Sequence, residues 1–198
     1  MSSFFQQNIN LENPKVLLVP FAKEYKTALK EVVFDESIWQ YMSIFIENDA
    51  DLDRYINLTL SERIEEKSYP FIIIDKETNS VAGSTRLGNI NFHNKRVEIG
   101  WTWYGKKFQG TGLNKACKYE LLKHIFEKMN FNRVQLSANI DNLRSQKAIL
   151  KLGAKQEGIF RSNYIDQNGD KHDDVYFSII SDEWLDIKKK VYRDFALF

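Results

Sequence analysis

The feature that most constrains this chain is a glycine-containing loop between a strand pattern and a helix pattern. Residues Val97 to Trp103 have the character of a strand, Gly110 and Gly112 punctuate the loop, and an amphipathic run begins at Leu113. Backbone N–H groups at a helix start are unpaired and carry the positive end of the helix dipole, so they attract phosphate oxygens. Glycine lets that backbone approach a ligand closely because it has no Cβ. The loop therefore predicts a phosphate-binding site.

Two common nucleotide-binding motifs do not fit this loop. Gly105 and Gly110 have the spacing of a P-loop, but Thr111-Gly112 stands where that motif requires lysine followed by serine or threonine. A dinucleotide fingerprint needs a third glycine where this chain has Lys115, and it opens a βαβ unit instead of following antiparallel strands. A kinase or a dehydrogenase is therefore a poor match.

The composition is typical of one globular domain. The chain has 198 residues, of which 43% are hydrophobic and 28% charged, and we expect a single domain over residues 1–198. Residues 1–14 are expected to be flexible or loosely packed. A net charge of +1 gives no reason to expect a nucleic-acid partner. A single cysteine, a polar N-terminus and the lack of an apolar stretch of about 20 residues predict a cytoplasmic protein without a membrane partner.

Hydrophobic periodicity predicts an α/β (α+β) domain, with an antiparallel meander first and helices interleaved later. Strand patterns occur at 16–19, 71–74, 81–90, 96–104, 133–138, 159–165 and 174–180. Helix patterns occur at 22–33, 51–67, 113–129, 142–152 and 184–192. The last of these helices and the residues after it are apolar enough to favour a homodimer contact through Trp184, Tyr192, Phe195, Leu197 and Phe198.

A second motif follows the glycine loop. Asn142-x-x-Ser145 opens a helix pattern, and Lys151-x-Gly153 closes it. In this order and spacing, the motifs resemble those of the GNAT (Gcn5-related) N-acetyltransferases, within them the branch of the ribosomal-protein N-acetyltransferases RimJ and RimL. The resemblance covers about residues 71–180 and also includes Glu98-Ile99-Gly100-Trp101, Gln109-Gly110-Thr111-Gly112, Glu157 to Arg161, Gly169 and Asp174 to Ser178.

This resemblance implies a fold and an activity. The fold is a mixed, mostly antiparallel central sheet of about seven strands, with splayed middle strands and flanking helices. The activity is transfer of an acetyl group from acetyl-CoA, as co-substrate, to a primary amine by direct attack on the thioester. The acceptor is a protein N-terminal α-amine, as in RimJ and RimL, or a small molecule such as a polyamine, an aminoglycoside or an amino-acid-like amine.

The resemblance also assigns residues to the coenzyme. The diphosphate is expected at the loop backbone, and the pantetheine arm is expected to pair like an additional strand with Trp101 to Trp103. The family carries Gln or Arg where this chain has Lys107, and a lysine faces a phosphate as a point charge without the planar fork of arginine. The predicted coenzyme-binding residues are Trp101, Thr102, Trp103, Lys107, Phe108, Gln109, Gly110, Thr111, Gly112, Leu113, Asn142 and Ser145.

The acid and the base are assigned with alternatives open. Glu98 is the candidate base or amine anchor, or else a surface carboxylate paired with Arg96 or Lys95. Ser145 is the candidate to protonate the departing thiolate, or else a residue that bonds to the helix start. Many family members carry a tyrosine as acid where this chain has Ile149, so Tyr164 is a second candidate, and a non-catalytic CoA-binding regulatory module is the alternative function.

Two further predictions concern the acceptor and metals. Trp39 and Tyr41 fall between the first two helices, where the acceptor wall of this fold is expected, although a plain core role is the alternative. Histidines at positions 93, 124 and 172 do not have the spacing of metal ligands, so we expect no metal cofactor.

Overall fold

The computed structural model describes residues 3–166 and 168–195 of the chain. Its strands are β1 (Leu11–Glu12), β2 (Val16–Pro20), β3 (Ser68–Asp75), β4 (Ser80–Asn91), β5 (Arg96–Tyr104), β6 (Arg133–Asn139), β7 (Lys155–Ile165) and β8 (Lys171–Ile180). Its α-helices are α1 (Lys26–Val33), α2 (Asp49–Ile64), α3 (Leu113–Lys123), α4 (Leu143–Leu150) and α5 (Ser181–Val191). Short 3₁₀ helices occupy Phe4–Gln6, Lys23–Tyr25, Glu36–Ile38 and Lys106–Phe108, and α3 continues as a π-helix over His124–Lys128.

These strands form one mixed sheet in the order β1-β2-β3-β4-β5-β6-β8-β7. Within the described residues, β5 and β6 are parallel and all other neighbours are antiparallel. The expectation of about seven strands becomes eight because β1, with two residues, is too short to show an alternating pattern. Its Leu11 and Glu12 pair with Leu18 and Leu17 of β2.

The sheet opens between β5 and β6. These two strands pair only from Arg96 to Glu98 on β5 and from Arg133 to Gln135 on β6. Beyond that point β5 continues to Tyr104 and β6 to Asn139 without pairing to each other. The predicted splay of the middle strands is confirmed, and it leaves a gap with backbone on both sides.

A bulge in β5 lies at this gap. Ser84 of β4 is opposite Trp103 and Arg86 is opposite Gly100, so Trp101 and Thr102 together face the single residue between them on β4. Trp101 has a φ of +49°, in the left-handed region. Its ring lies over Gly88, where a Cβ would come within 2.4 Å of a ring carbon. The bulge therefore requires glycine at that position of the neighbouring strand.

The described part of the N-terminal segment is packed against the sheet, although we expected residues 1–14 to be loose. The side chains of Phe5 and Ile9 are buried in the core. Asn13 is also buried, and its amide donates to the carbonyl of Ala116 at 3.1 Å and to Glu120 at 3.2 Å on α3. Hydrophobic burial and these hydrogen bonds hold residues 3–14 in place.

Three of the five residues expected to form a homodimer contact pack within the domain instead. Trp184 and Tyr192 are buried and pack on Tyr119 of α3, with ring centroids 6.2 and 5.3 Å away. Phe195 stacks on the same tyrosine at 5.6 Å. Residues 197 and 198, the other two members of the predicted contact, lie outside the described residues. The apolar face of α5 is therefore used within the domain.

Candidate active site at the gap in the sheet

A cavity of about 610 Å³ lies at the gap between β5 and β6. Its walls come from the β5 bulge, the glycine loop, one side of α3, one side of α4 and the turn around Tyr41. Sequence elements that are far apart in the chain therefore meet here. Of the predicted coenzyme-binding residues, those lining this cavity are Trp101, Thr102, Trp103, Phe108, Gln109, Gly110, Gly112, Asn142 and Ser145.

The glycine loop has the backbone conformation of an anion cradle. Gly110 and Gly112 have φ values of +78° and +86°, and Gly112 is the N-cap of α3. Nothing lies within 4 Å of a Cβ built at Gly110, so that space is open towards a ligand. In the first turn of α3 the Leu113 N–H donates to the Thr111 hydroxyl at 3.4 Å, whereas the N–H groups of Asn114 and Lys115, two residues that line the cavity, have no partner within the helix. The loop therefore fits the diphosphate of coenzyme A.

The loop is fixed by side chains on both sides. The Gln109 amide donates to the carbonyl of Tyr104 at 3.0 Å, and Arg144 of α4 donates to Gln109 at 2.7 Å. The Thr111 hydroxyl donates to the carbonyl of Phe108 at 2.9 Å. These bonds hold the loop between β5 and α4 before any ligand arrives.

Three predicted coenzyme residues face elsewhere. Lys107, Thr111 and Leu113 line a second, smaller cavity of about 390 Å³ on the other side of the loop, together with Lys15. The Lys107 ammonium lies 4.9 Å from the ring centroid of Phe108. In the gap-side cavity the loop therefore contributes its backbone, its two glycines and the flanking Phe108 and Gln109.

The gap-side cavity is positively charged although the chain as a whole is nearly neutral. Five basic residues line it and, among the described residues, no aspartate or glutamate does. Such a concentration of cations attracts a ligand that carries several phosphates. These residues are Lys115 and Lys118 on α3 and Arg144, Lys147 and Lys151 on or next to α4.

Glu98 lies beside this cavity and is buried, with 6% of its surface exposed. Asn89 donates to its Oε2 at 2.8 Å, and Gln135 of β6 donates to the same oxygen at 3.0 Å. The Ser137 hydroxyl donates to its Oε1 at 3.2 Å. Ser137 itself lines the cavity. The alternative of a surface carboxylate paired with Arg96 or Lys95 therefore does not hold.

The two acid candidates occupy different surroundings. Ser145 lines the cavity, and its backbone N–H donates to the side chain of Asn142 at 3.0 Å, so Asn142 caps α4. Tyr164 accepts a hydrogen bond from Asn139 at 2.7 Å and stacks on His172. Burial raises the pKa of the Tyr164 hydroxyl. Ser145 is therefore the better placed of the two.

The two acceptor-wall candidates also separate. Tyr41 lines the cavity. Trp39 is 2% exposed, and its Nε1 donates to the carbonyl of Val33 at 3.0 Å. Its ring packs on Trp103, with centroids 5.2 Å apart. Trp39 thus supports the wall from the core and does not line the cavity.

Lys118 is one of several cavity residues that were not predicted from the sequence. Lys118 is 4% exposed, and its ammonium donates to Thr102 at 2.6 Å and to Thr85 at 3.2 Å. Burial lowers its pKa to about 8. No ion pair to Lys118 occurs in the described part of the chain. A lysine in an amphipathic helix normally faces solvent, so the pattern carried no signal for this burial.

Neither a metal cluster nor a membrane span is found in the residues that the structure describes. No group of three or more histidine, cysteine, aspartate or glutamate side chains is arranged to hold a metal ion in residues 3–166 and 168–195. Over the same residues, none of the helices has the length and apolar character needed to cross a bilayer.

Comparison with known proteins agrees with this geometry. Residues 15–155 match the family described as the acetyltransferase (GNAT) domain. YdaF of Bacillus subtilis (strain 168), whose name gives it as a candidate ribosomal N-acetyltransferase, is 35% identical over 106 residues. That match spans 53% of this chain and about half, 56%, of YdaF.

Solved structures show the same fold. A candidate acetyltransferase from T. thermophilus is 28% identical with a TM-score of 0.86, over 98% of this chain and 99% of that one. The Microcin C7 self immunity acetyltransferase MccE, solved in complex with acetyl-CoA and AMP, is 24% identical with a TM-score of 0.74. The match covers 85% of this chain and 93% of MccE.

Proposed function

Because the chain belongs to the GNAT family and is an N-acetyltransferase, we propose that it transfers the acetyl group of acetyl-CoA to the α-amine of a protein N-terminus. The observation that carries this proposal is the cavity at the gap between β5 and β6. It brings together an open glycine cradle, five cations, the bulge of β5 and Ser137 of β6, whose hydroxyl donates to Glu98 of β5.

The coenzyme fits this cavity in one direction. Its diphosphate lies against the backbone of residues 108–113 and near Arg144, where the helix dipole and the cations favour negative charge. Its pantetheine arm follows Trp101 to Trp103, whose backbone no longer pairs with β6. The thioester then lies near the bulge, at the narrow end of the gap. This placement is what the family resemblance implies.

The reaction needs a neutral amine, a donor for the acetyl oxygen and a group that receives a proton. A backbone N–H of the bulge stabilises the negative charge that develops on the acetyl oxygen; losing one such donor typically costs about 3–4 kcal/mol. The proton of the attacking amine passes to Glu98, either directly or through the Ser137 hydroxyl. Ser145, at the start of α4, hydrogen bonds to the departing sulfur.

The charge of the cavity favours an α-amine over a polycation. Polyamines and aminoglycosides carry several positive charges, and among the described lining residues no carboxylate is present to receive them. An α-amine has a pKa of roughly 7.7–8.0 and is partly neutral near pH 7, whereas a lysine side chain near 10.4 is not. The name of the relative YdaF, a candidate ribosomal N-acetyltransferase, supports a ribosomal acceptor over a free polyamine.

An acceptor panel tests this proposal. Lysine-free peptides with a free serine or alanine N-terminus are compared with the same peptides carrying a blocked N-terminus and one added lysine, and with spermidine. Thiol release and a mass shift on the free α-amine are the expected result. Faster turnover of spermidine would show that the acceptor is a small-molecule amine. Faster turnover of the blocked peptides would show that it is a lysine side chain. Acetyl-CoA binding by calorimetry without any turnover would instead favour the non-catalytic module.

A further inference from the structure

The Lys118 ammonium is held by two threonines, one in the β5 bulge and one opposite it on β4. It donates to Thr102 of β5 at 2.6 Å and to Thr85 of β4 at 3.2 Å, and the two hydroxyl oxygens are 2.8 Å apart. Burying an ammonium without a carboxylate partner costs free energy. Its neighbours Ala116, Cys117 and Leu121 on α3 are fully buried and apolar, so a buried methionine would satisfy packing at lower cost.

The hydroxyls of Thr102 and Thr85 connect the Lys118 ammonium to the backbone carbonyl of Gly100. Each threonine has one hydroxyl proton, and both oxygens already accept from Lys118. One hydroxyl donates across the 2.8 Å contact to the other. The remaining proton is available to the carbonyl oxygen of Gly100, which lies 3.3 Å from the Thr102 oxygen and 3.5 Å from the Thr85 oxygen.

The orientation of one peptide follows from this arrangement. The Gly100–Trp101 bond is trans, so its carbonyl and its N–H point in opposite directions. The carbonyl of Gly100 is turned towards the threonine of β4, and the N–H of Trp101 is therefore turned away from β4. The gap lies on that side of β5, because pairing with β6 ends at Glu98.

We propose that Lys118 is a positioning residue for acetyl transfer, which acts through Thr102 and Thr85 to hold and polarise the peptide whose N–H binds the acetyl oxygen. A hydrogen bond to a peptide carbonyl makes the N–H of the same peptide a stronger donor, and a charged first donor adds to this effect. The inference rests on the proposed function, since it concerns the donor that the function requires.

We call the hydrogen bonds from Lys118 through Thr102 and Thr85 to the Gly100–Trp101 peptide the relay. Its strength depends on pH because it begins at a titratable ammonium. Burial lowers the pKa of its ammonium to about 8, and Cys117 on the same helix acts in the opposite direction. Strands β4 and β5 face it with threonine hydroxyls, which do not titrate in this range. Lys118 is therefore charged well below pH 8, half charged near pH 8 and neutral well above it, so the interaction weakens as the pH rises through this value.

Two matched pairs of variants test this proposal. Lys118→Met removes the ammonium and keeps the chain length, and Lys123→Met is its control on the same helix, where the ammonium lies over Tyr119. Thr102→Val removes the hydroxyl and keeps the shape, whereas Thr102→Ser keeps the hydroxyl. The readouts are kcat, KM for acetyl-CoA, the carbonyl ¹³C resonance of bound [1-¹³C]acetyl-CoA, and thermal unfolding to verify the fold.

The expected result separates the relay from a structural role. Lys118→Met and Thr102→Val each lower kcat by about tenfold with KM changed by less than about threefold, because the donor is weakened and not removed. In both variants the carbonyl resonance moves towards that of free acetyl-CoA. The double variant loses no more than either single variant, since both interrupt one chain of bonds. The ratio of wild-type to Lys118→Met kcat falls above about pH 8.

Failure of the relay is distinguishable from failure of the proposed function. If wild type binds acetyl-CoA and turns over, but Thr102→Val leaves both kcat and the carbonyl resonance unchanged, the relay is overturned and the function stands. If wild type neither binds acetyl-CoA nor releases thiol with any amine, the function fails and the relay fails with it. The threonine pair decides the matter even if Lys118→Met does not fold.

Discussion

The Ser137 hydroxyl donates to Oε1 of Glu98 at 3.2 Å, and it is Ser137 that lines the cavity. The Glu98 carboxylate therefore does not line the cavity itself, and the Ser137 hydroxyl lies between the carboxylate and the cavity. In the proposed function, this arrangement would keep the charge of Glu98 away from the phosphates of the coenzyme and leave it a path to the reacting amine through Ser137. The pair comes from two parallel strands at the point where their pairing ends.

We expect Glu98→Gln to lower kcat by between about 10²- and 10⁴-fold, because a neutral amide cannot accept the proton of the amine. Steady-state kinetics with a peptide acceptor measures this. Glu157→Gln is the matched control: Glu157 is bound by Arg133 and Ser178 on the same part of the sheet. Equal losses in the two variants would remove Glu98 from the mechanism.

The contribution of Glu157 to stability depends on pH. Hydrogen bonding to Arg133 lowers the pKa of Glu157 to about 2. Its stabilising effect is therefore present above the ordinary value of 4.5 and is lost as the pH falls from 4.5 towards 2. Because the pair is partly exposed, the loss in Glu157→Gln at pH 7 should stay below about 1 kcal/mol in urea unfolding.

Gly110→Val should weaken acetyl-CoA binding by at least about tenfold, because the added side chain enters the open space of the cradle while the fold is kept. The matched control is Gly169→Val in the turn between β7 and β8. Gly169 has a φ of +89° and Gly110 has a φ of +78°, and nothing lies within 4 Å of a Cβ built at either position. Both variants carry the same backbone strain, of about 1–2 kcal/mol. Calorimetry in which both bind equally well would contradict the cradle.

Two substitutions of Asn142 distinguish its role as the N-cap of α4 from its role in binding the coenzyme. Asn142→Ala removes the acceptor for the Ser145 N–H and should lower the free energy of unfolding by about 1 kcal/mol. Asn142→Asp keeps the cap and the stability, but places a negative charge in a cavity built for phosphates, so acetyl-CoA binding weakens. Urea unfolding and calorimetry test the two effects. An aspartate variant that binds as tightly as wild type would contradict the phosphate assignment.

Lys118 predicts an alkaline effect on stability. Its pKa is about 8 in the folded protein and 10.5 ordinarily, so between these values the unfolded chain binds more protons than the folded one. Stability therefore rises with pH across this interval, by up to about 3 kcal/mol relative to Lys118→Met. Chemical unfolding of both proteins from pH 7 to 10.5 measures it. Parallel curves would mean that the ammonium is not buried in solution.

Sequence patterns were sufficient for features that depend on neighbouring residues. The glycine loop, the amphipathic faces of the helices and the helix start at Asn142 are local, and each occurs where it was predicted. The surroundings of Glu98 are not local: its three donors come from Asn89, Gln135 and Ser137 on two other strands. Its proximity to Arg96 and Lys95 in the sequence therefore suggested partners that the fold does not use.

The same limit explains the other differences. Trp184 and Tyr192 look available for a dimer contact until Tyr119 of α3 is placed against them. Lys118 looks solvated until α3 is laid across the bulge and two threonines meet its ammonium. In each case the deciding contact joins residues that no periodic pattern connects.

The short pairing of β5 with β6 has a consequence for the behaviour of the protein in cells. Three residue pairs join the two halves of the sheet. In the proposed complex, the pantetheine arm would bond to the backbone of β5 that β6 leaves unpaired, and this would add contacts across the gap. Bound acetyl-CoA would then raise the free energy of unfolding, by about 2.7 kcal/mol when its concentration is a hundredfold above Kd. Starved cells, with little acetyl-CoA, would hold a more fragile enzyme than well-fed ones.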